Sequence, residues 1–529
     1  MIQTRNSVMR EETEKYLEHL DVNLSPKEIE SELLDNIQFA FDCRNQCAPK
    51  SDRWRKPARL SNMQIAMILL RKEHIKMLCC CNQMCSRKYM VLSIYDETSG
   101  LYLSDNCIFE RIIRDYNYDI SSKDIKEVIN ILMSEAEVAF KTTEADLIPV
   151  NNGVFDYSTK ELHEFSPEYV FTSKSPIDYD DSIALKIFTE EDGSTWDVES
   201  WMQTLSDDPQ VICNMWEILS AVLRPNVHWN KAAWLYGSGN NGKGTYSQIC
   251  RDLVGSESCA SIPLADMGKD FMLEPLVRVS AIIVEENDEG QYIDKAANLK
   301  SIITGDVIRL NIKFENPIQI QPHVFMIQSM NTLPRTKDKS DGFYRRQLFV
   351  PFSKCFTGNE NKKIKSVYLK DIDVLKYILH KVLNTNFYDF SVSGASEILK
   401  NRFIYNNEPV RQFCEEFIMR CKWDFLPNNF LYEGYKAWYK KNCPAGEPQG
   451  KNTFLEELRE VIRDNDDYEI WDNKQRPFHS SKSNIAYTSE PLIIEYNLTD
   501  FMNMGYRGND TELRSRYQPP ATMLGIRRI

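Results

Sequence analysis

A glycine-rich segment near the middle of the chain carries the residue types that bind phosphate. Gly237 is followed by four residues and then by Gly242 and Lys243, in the segment GSGNNGKGT. Glycines let a backbone wrap around phosphate oxygens, and a lysine at this spacing reaches the β- and γ-phosphates of a nucleotide. The next residue in such loops is usually Ser or Thr, which holds magnesium. Here it is Gly244, and the hydroxyl follows one place later at Thr245.

The surroundings of this loop favour a nucleotide site over a chance glycine-rich turn. A strand-like run, AAWLY, precedes the loop and a helical pattern follows it, which is the context that phosphate loops need. We therefore predict that the loop binds ATP with Mg²⁺ and that Thr245 is a magnesium ligand. The predicted nucleotide-binding residues are Gly237, Ser238, Gly239, Asn240, Asn241, Gly242, Lys243, Gly244 and Thr245.

Two acids follow an apolar run about forty residues further along. The segment VRVSAIIVEEND predicts a buried strand over 279–284 that ends in Glu285 and Glu286. Acids at the carboxyl end of such a strand face the phosphate crevice of an open α/β sheet. One carboxylate would hold the metal, which we assign to Glu285, and the other would polarise water. Which carboxylate does which task stays open, and an acidic exit into a solvated loop is the alternative.

An amide and two arginines complete the set of candidate catalytic residues. A predicted strand over 324–327 is followed by Gln328 and Asn331, and we expect Asn331 to sense the γ-phosphate rather than only to begin a turn. Arg345 and Arg346 precede another strand-like segment. An arginine supplied by a neighbouring subunit can stabilise transition-state charge, whereas a surface pair is the alternative interpretation.

Alternation of apolar and polar residues predicts a β-hairpin between the acids and Asn331. The pattern occurs over 308–312 and again over 318–320, with Lys313 and Phe314 at or near the tip. A lysine can follow a phosphate backbone, and an aromatic ring can contact sugar or base. We expect these two residues to bind DNA, with an ordinary structural hairpin as the alternative.

Composition limits where nucleic acid could bind. The net charge is −13, so the surface as a whole repels DNA, and binding requires a local basic surface or an enclosed channel. No apolar run reaches the roughly eighteen residues of a membrane span, and no secretory signal precedes the 14 cysteines. We therefore expect a cytoplasmic protein with reduced thiols. Zinc binding is the weaker interpretation of the candidate ligands Cys43, Cys47, Cys81 and Cys85.

The order of the loop, the acids, the hairpin, the amide and the arginines resembles that of superfamily 3 helicases. It is most similar to the phage, plasmid and poxvirus primase-helicase branch, and within it to replication initiator helicases of phage satellites and staphylococcal pathogenicity islands. The resemblance covers roughly residues 90–490 and is strongest over 231–355. That branch often carries Gly-Lys-Gly-Thr, so Gly244 is regular there, whereas many relatives have Asp where this chain has Glu.

The resemblance implies a multidomain α/β and α+β chain built around an AAA+-type P-loop motor. Its register implies that Arg346, six residues before Phe352, is the arginine finger, with Arg345 second. The implied divisions are an N-terminal helical segment and linker (1–58), a mixed α/β domain (59–190), collar-like helices (191–230), the superfamily 3 motor (231–385) and a C-terminal winged-helix-like domain (386–529).

The winged-helix-like region offers a second candidate DNA-binding surface. Lys451 begins an amphipathic helical pattern that could enter the major groove, and Lys474 and Arg476 lie in a basic segment that could form the wing. Because that helix is itself acidic, a protein-interaction domain is the alternative.

The resemblance also implies an activity and its partners. We expect a homo-hexameric, ATP-dependent helicase that moves 3′ to 5′ on single-stranded and forked DNA, with origin duplex and host replication proteins as further partners. About 230 residues precede the loop, too few for a complete primase as well, so we expect no primer synthesis. The alternatives are an origin-binding assembly switch that uses ATP without unwinding DNA and, less favoured by the motif spacing, a packaging or clamp-loading ATPase.

Overall fold

The computed structural model describes residues 4–81, 86–313, 317–358, 360–442, 447–463, 465–472, 489–517 and 523–529. The chain forms two compact units, which divide between Glu397 and Ile398. The predicted division into five parts stays a prediction. No helix in the described segments is long and apolar enough to cross a membrane.

The first unit begins with helices that pack on a small mixed sheet. Helix α2 starts at Pro26, with Ser25 and Glu28 forming a reciprocal capping box. Strands order as β3-β2-β1-β4, with only the β1–β4 pair parallel. The elements are α1 (Arg5–Glu18), α2 (Pro26–Asn45), α3 (Asn62–Lys72), β1 (Ile75–Cys79), β2 (Val91–Asp96), β3 (Leu101–Leu103), α4 (Asn106–Tyr116), α5 (Ser122–Glu135) and β4 (Glu137–Phe140).

Short antiparallel strands and two helices lead to the central sheet. Helix α7 is buried along nearly its whole length, because it packs between the central sheet and a later helix. These elements are β5 (Leu147–Val150), β6 (Gly153–Asp156), β7 (Glu161–His163), β8 (Phe188–Thr189), β9 (Thr195–Trp196), α6 (Val198–Gln203) and α7 (Pro209–Leu223).

The rest of the first unit is built around a five-stranded parallel sheet. The elements in chain order are β10 (Ala232–Tyr236), α8 (Lys243–Val254), β11 (Cys259–Ala260), β12 (Ala281–Val284), β13 (Tyr292–Ile293), α9 (Ala297–Thr304), β14 (Ile308–Leu310), β15 (Ile318–Ile320), β16 (Phe325–Met330), β17 (Arg335–Thr336), α10 (Asp341–Tyr344), β18 (Gln347–Pro351), α11 (Lys362–Ser366), α12 (Ile372–Asn384) and α13 (Gly394–Asn407), within which the two units divide.

All five strands of the central sheet run in the same direction, in the order β11-β12-β16-β10-β18. β12 and β16 are buried along their whole lengths, as expected of parallel strands covered on both faces. Helices α7 and α8 pack against the sheet, and α12 packs against both helices. Trp234 of β10 packs edge to face with Phe343 and Phe349. The predicted α/β layer is therefore present.

The second unit has its own aromatic core and a three-stranded antiparallel sheet. The last strand, β21, lies between β19 and β20, and the core includes Phe413, Tyr435 and Phe454. The winged-helix topology stays a prediction. The elements are α14 (Pro409–Glu416), β19 (Phe425–Pro427), α15 (Asn428–Asn442), α16 (Lys451–Arg463), β20 (Tyr468–Trp471), α17 (Pro491–Glu495), α18 (Thr511–Arg514) and β21 (Gly525–Arg528).

A buried carboxylate ties the second unit together, and replacing it should be costly. Glu490 is fully buried and accepts hydrogen bonds from the backbone N–H groups of Lys422 (2.6 Å), Trp423 (3.2 Å) and Leu492 (3.3 Å). Glu490→Ala leaves those donors unpaired, so we expect the second unit to lose about 3 kcal/mol of unfolding free energy. Chemical denaturation followed by tryptophan fluorescence would measure the loss.

The matched control for this prediction is Glu495→Ala, which removes an exposed carboxylate paired with Arg420. Since surface ion pairs contribute little, we expect a change below about 1 kcal/mol. Equal effects of the two substitutions would contradict the structural role assigned to Glu490.

Candidate nucleotide-binding site

The glycine-rich loop connects the end of β10 to the start of α8, and its conformation favours glycine at three positions, including Gly239 with a φ of +104°. Gly242, the N-cap of α8, has a φ of +87°, in the left-handed region. At Gly237 a Cβ atom would lie 2.0 Å from Asn241 Nδ2 and 2.5 Å from the Phe352 carbonyl oxygen. Gly242 has no side chain to cap α8; the Lys243 N–H donates to Asn241 Oδ1 at 3.4 Å, and the N–H groups that follow in the first turn can meet an anion.

Lys243 lies against the loop, with its ammonium group surrounded by oxygen atoms. The residue is only 6% exposed. Its Nζ donates to the Gly237 carbonyl, to Asn331 Oδ1 at 3.0 Å and to Asn241 Oδ1 at 3.4 Å. Burial lowers the pKa of the Lys243 ammonium, and the nearby Glu286 carboxylate offsets part of that effect. A desolvated cation whose bonded partners are neutral oxygens is suited to receive an anion.

The two predicted acids leave the carboxyl end of β12 and have different partners. Glu286 accepts a hydrogen bond from Asn331 Nδ2 at 3.4 Å, so Lys243, Asn331 and Glu286 form one connected row. Glu285 instead pairs with Arg251 of α8 at 3.3 Å. Both carboxylates are exposed, as a site that takes a hydrated metal ion requires. The assignment of magnesium to Glu285 stays a prediction.

The two side-chain amides near the end of β16, Gln328 and Asn331, have different roles. Gln328 lies inside β16, which runs three residues past the predicted end at 327. Its side chain is fully buried, donates to the Ile262 carbonyl and accepts from Asn287 Nδ2 at 2.9 Å. Gln328 is therefore structural, whereas Asn331, past the end of the strand, lies between Lys243 and Glu286.

Asn287 is a structural residue that the sequence reasoning missed. It is 5% exposed, donates to the Ser329 carbonyl and accepts from the Leu264 N–H at 3.1 Å. These bonds hold the chain immediately after Glu286 against β16. Its position between Glu286 and Asp288 made it look like part of a solvated acidic run, and no spacing rule distinguishes it.

The segment that follows β18 also supports the glycine-rich loop, and sequence reasoning missed this as well. Asn241 donates to the Phe352 carbonyl at 3.3 Å, and Asn240 accepts at its carbonyl from the Phe356 N–H at 2.8 Å. Asn240 Nδ2 is also 3.2 Å from the Thr357 hydroxyl. The loop is thus held from both sides before any ligand binds.

The two predicted arginines lie at the amino-terminal ends of the strands, whereas the loop lies at their carboxyl ends. Gln347 pairs with Ala232 at the start of β10, and the Ala232 N–H donates to the Arg346 carbonyl at 2.8 Å. The loop begins past the far end of β10, roughly 13 Å away at about 3.3 Å per residue. Arg345 is exposed, whereas Arg346 is half-buried with Nη1 donating to the Gly342 carbonyl. The fold does not bring either arginine to its own loop.

The predicted hairpin is confirmed, with Leu310 opposite Ile318 in an antiparallel pair. Lys313 is exposed at the end of the described part of the first arm, and Phe314 lies outside the described residues. The base of the second arm is bonded to the segment after β1, where the Gln321 N–H donates to the Cys80 carbonyl at 2.8 Å. The hairpin is therefore anchored to the N-terminal part of the unit.

The remaining candidates that the sequence predicts belong to other segments of the chain. In the second unit, Lys451 is exposed at the start of α16 and contacts Asn429, and Lys474 and Arg476 lie outside the described residues. Cys43 and Cys47 are exposed, Cys81 is buried and donates to the Gln319 carbonyl, and Cys85 falls outside the described segments. Within the described part of the chain no group of three or more His, Cys, Asp or Glu residues could hold a metal ion.

The fold and site together define a parallel-sheet α/β protein with a glycine-rich, lysine-containing loop at the carboxyl ends of its strands. Three family models match the chain. A family of unknown function (DUF5906) matches residues 235–346, which include the loop, the acids, the hairpin, Asn331 and the arginines. A D5 N terminal like family matches residues 81–207, and a Poxvirus D5 protein-like family matches residues 405–497. The two D5-related models thus match segments that precede and follow the candidate site in the sequence.

Solved structures of the NrS-1 C-terminal region are similar to this chain at low identity. The match to an A-form apo structure of that region spans 89% of this chain and 99% of the NrS-1 chain, with 12% identity and a TM-score of 0.43. The match to a second apo structure, of NrS-1 residues 305–718, spans 75% of this chain and 86% of the NrS-1 chain, with 12% identity and a TM-score of 0.42. Both TM-scores lie below 0.5.

Alanine substitution at two glycines should distinguish a steric requirement for glycine in the loop from the effect of helix propensity in α8. Gly237→Ala forces Cβ into Asn241 and the Phe352 carbonyl, so we expect a loss of about 1–3 kcal/mol in unfolding free energy. Gly244→Ala places Cβ where nothing lies within 4 Å, and alanine favours the helix by about 0.5–1 kcal/mol. Thermal and chemical denaturation would compare both with the unmodified protein. Destabilisation by Gly244→Ala would show that the start of α8 is more crowded than described.

Proposed function

We propose that this protein is an ATP-dependent, homo-hexameric DNA helicase that initiates replication of a mobile genetic element. The observation that carries the proposal is the row formed by Lys243, Asn331 and Glu286 where three neighbouring parallel strands end. The D5-like matches on both sides of this row support a role in DNA replication.

The buried ammonium of Lys243 would meet the β- and γ-phosphates of ATP. In the structure its hydrogen-bond partners are a backbone carbonyl and two amide oxygens, which hold the lysine without neutralising its charge. The phosphate oxygens of ATP would supply the neutralising negative charge. The start of α8 would add backbone donors and a partial positive charge. Binding energy would thus come from groups that are already positioned.

The residues at the strand ends fit a magnesium-assisted hydrolysis. Thr245, in the first turn of α8, and Glu285 would hold Mg²⁺, which when bound supplies charge neutralisation at the transferred phosphoryl group. Glu286 would orient the attacking water, because Asn331 holds its carboxylate beside the position that the γ-phosphate would take. Asn331 would then report the presence of the γ-phosphate to both Lys243 and Glu286.

The position of Arg345 and Arg346 supports active sites that lie between subunits. Either residue lies too far along the sheet to reach the phosphate loop of its own chain, so a catalytic role requires a neighbouring copy. Exposure favours Arg345, whereas the register of the resembling family favours Arg346. A ring of identical subunits would meet the requirement with a repeated head-to-tail interface.

DNA would pass through the ring along the hairpin that carries Lys313. Six copies of one lysine would concentrate positive potential in a narrow channel, while each chain as a whole has a net charge of −13. The hairpin lies between β12, which leads to the acids, and β16, which leads to Asn331. That connection is a physical route by which a change at the γ-phosphate could shift the DNA-contacting residue.

The central test is unwinding of a forked DNA duplex with ATP and Mg²⁺. We expect strand separation by the unmodified protein and a loss of at least about 100-fold for Lys243→Ala, because the phosphates lose their buried cation. Lys362→Ala, which removes an exposed lysine of α11, is the matched control and should unwind normally. Strong ATPase activity without strand separation on any fork would rule out the helicase and favour the assembly switch.

Mixing variants tests whether each active site draws residues from two chains. Arg345→Ala and Lys243→Ala should each abolish ATPase activity alone. In an equal mixture that exchanges subunits, about a quarter of the interfaces would combine an intact lysine with an intact arginine, so about a quarter of the activity should return. The same mixture made with Arg346→Ala identifies which arginine acts. No recovery with either arginine variant would contradict a shared site.

A further inference from the structure

A second basic site lies at the amino-terminal edge of the central sheet. There the structure encloses a cavity of about 90 Å³. Its walls come from the segment after β4, from residues 170–175, from the end of α7 and from the residues that lead into β12 and β16. Since one water needs roughly 10–15 Å³ on this measure, the cavity has room for several waters or for one tetrahedral oxyanion.

The lining of this cavity has one sign of charge. Among the described residues that line it, none is Asp or Glu, although the whole chain has a net charge of −13. Four basic residues line it instead, together with six hydroxyl-bearing residues. The basic residues are Lys141, Lys174, Arg224 and His323, and the hydroxyl-bearing residues are Thr142, Thr143, Thr172, Ser173, Ser175 and Ser280.

Two of the four basic groups are held by other parts of the fold. Arg224 is 1% exposed, with Nη2 bonded to Asp146 and Nη1 to the Phe387 carbonyl. Lys174 donates to the Asn151 carbonyl at 3.1 Å. Both groups contribute positive potential to the cavity. Two bonds fix the Arg224 guanidinium, although its buried Nε has no partner among the described residues, and the Lys174 ammonium also lies 4.9 Å from the centroid of the Phe165 ring.

The other two basic residues, Lys141 and His323, have hydrogen-bonding groups that are still available. Lys141 Nζ donates to the Val277 carbonyl at 2.9 Å, a neutral acceptor that leaves two of its three N–H groups for other partners. His323 Nε2 is buried and, within the described segments, has no hydrogen-bond partner. A buried polar atom without a partner is uncommon and is often explained by a bound water or ion.

The electrostatics at these two residues would favour a bound anion. Burial lowers the pKa of Lys141. Burial, with the positive charges of Lys141 and His228, lowers the pKa of His323 to about 4. Both groups are desolvated, and the charge of Lys141 disfavours protonation of His323; an anion bound beside them would stabilise the charged form of each.

We propose that this cavity binds a phosphate-class oxyanion, distinct from any nucleotide at the glycine-rich loop, with Lys141 and His323 as its principal ligands. The two sites are separate because the cavity borders the residues that enter β12 and β16, whereas the loop lies where the strands leave the sheet. Lys141, Lys174, Thr172 and Ser173 also line a larger open groove, so a free phosphate ion or a terminal phosphate ester could reach the cavity from it.

The position of the cavity gives the bound oxyanion a structural effect. Gln321 and His323, both in its wall, join the hairpin arm β15 to β16, the strand that leads to Asn331. An anion bonded to His323 would therefore stiffen the joint between the hairpin and that strand. The proposal does not depend on helicase activity, because binding at the cavity requires neither ATP nor DNA.

Calorimetric titration of Lys243→Ala with inorganic phosphate tests the proposal, since that background removes the lysine of the loop. Titration at constant ionic strength, with sulfate in parallel, should give one site per chain. Adding Lys141→Met should weaken binding at least about tenfold, as loss of a charge-assisted hydrogen bond requires. Adding Lys76→Met instead is the matched control, because Lys76 also donates to a backbone carbonyl but lies outside the cavity lining. That variant should bind normally.

Lys141→Met removes a desolvated charge, so we expect it to fold with an unchanged or higher melting temperature. If it does not fold, His323→Gln tests the same site by removing the imidazole whose buried Nε2 has no hydrogen-bond partner among the described residues. Binding that vanishes in Lys243→Ala alone, or that Lys141→Met and His323→Gln leave unchanged, would overturn the proposal. Competition by a 5′-phosphorylated oligonucleotide but not by its unphosphorylated form would assign the site to a phosphate ester, and competition by neither to the free ion.

Discussion

The parallel alignment of β10, β12 and β16 is the constraint on which the rest of this structure depends. Because the three strands run in the same direction, their carboxyl ends meet at one edge of the sheet. Lys243 and Asn331 are 88 residues apart in the chain, and Asn331 and Glu286 are 45 apart, yet all three are hydrogen-bonded in one row. An antiparallel neighbour would have placed its acid or amide at the opposite edge.

The same alignment separates functions that are adjacent in the sequence. Arg345 and Arg346 follow Asn331 by little more than a dozen residues, but the chain returns to the amino-terminal edge before β18 begins. That edge also holds the basic cavity around Lys141 and His323. One edge of the sheet therefore concentrates the residues suited to nucleotide chemistry. The other carries groups suited to a neighbouring copy or to a second anion.

Rigidity at the loop comes from contacts that are individually modest. Asn241 bonds to the Phe352 carbonyl and to Lys243, while Phe356 bonds to the Asn240 carbonyl. Gln328 and Asn287 bond to each other across the neighbouring strands. Together these amides hold the loop and the acidic strand end in fixed positions. A site of this kind spends little free energy on reorganisation when its ligand arrives.

By itself the sequence determined the elements and the residue types available for chemistry. Local periodicity predicted the hairpin and the strand before the loop, because these depend on neighbours within a few residues. Only the tertiary structure decided which residues meet. It buried Gln328 in the sheet, placed Asn331 beside Lys243 and Glu286, and gave the two glutamates different partners. It also placed the arginines at the far edge of the sheet and enclosed the cavity around His323. These outcomes depend on strand order and on contacts between residues far apart in the chain, which local periodicity does not encode.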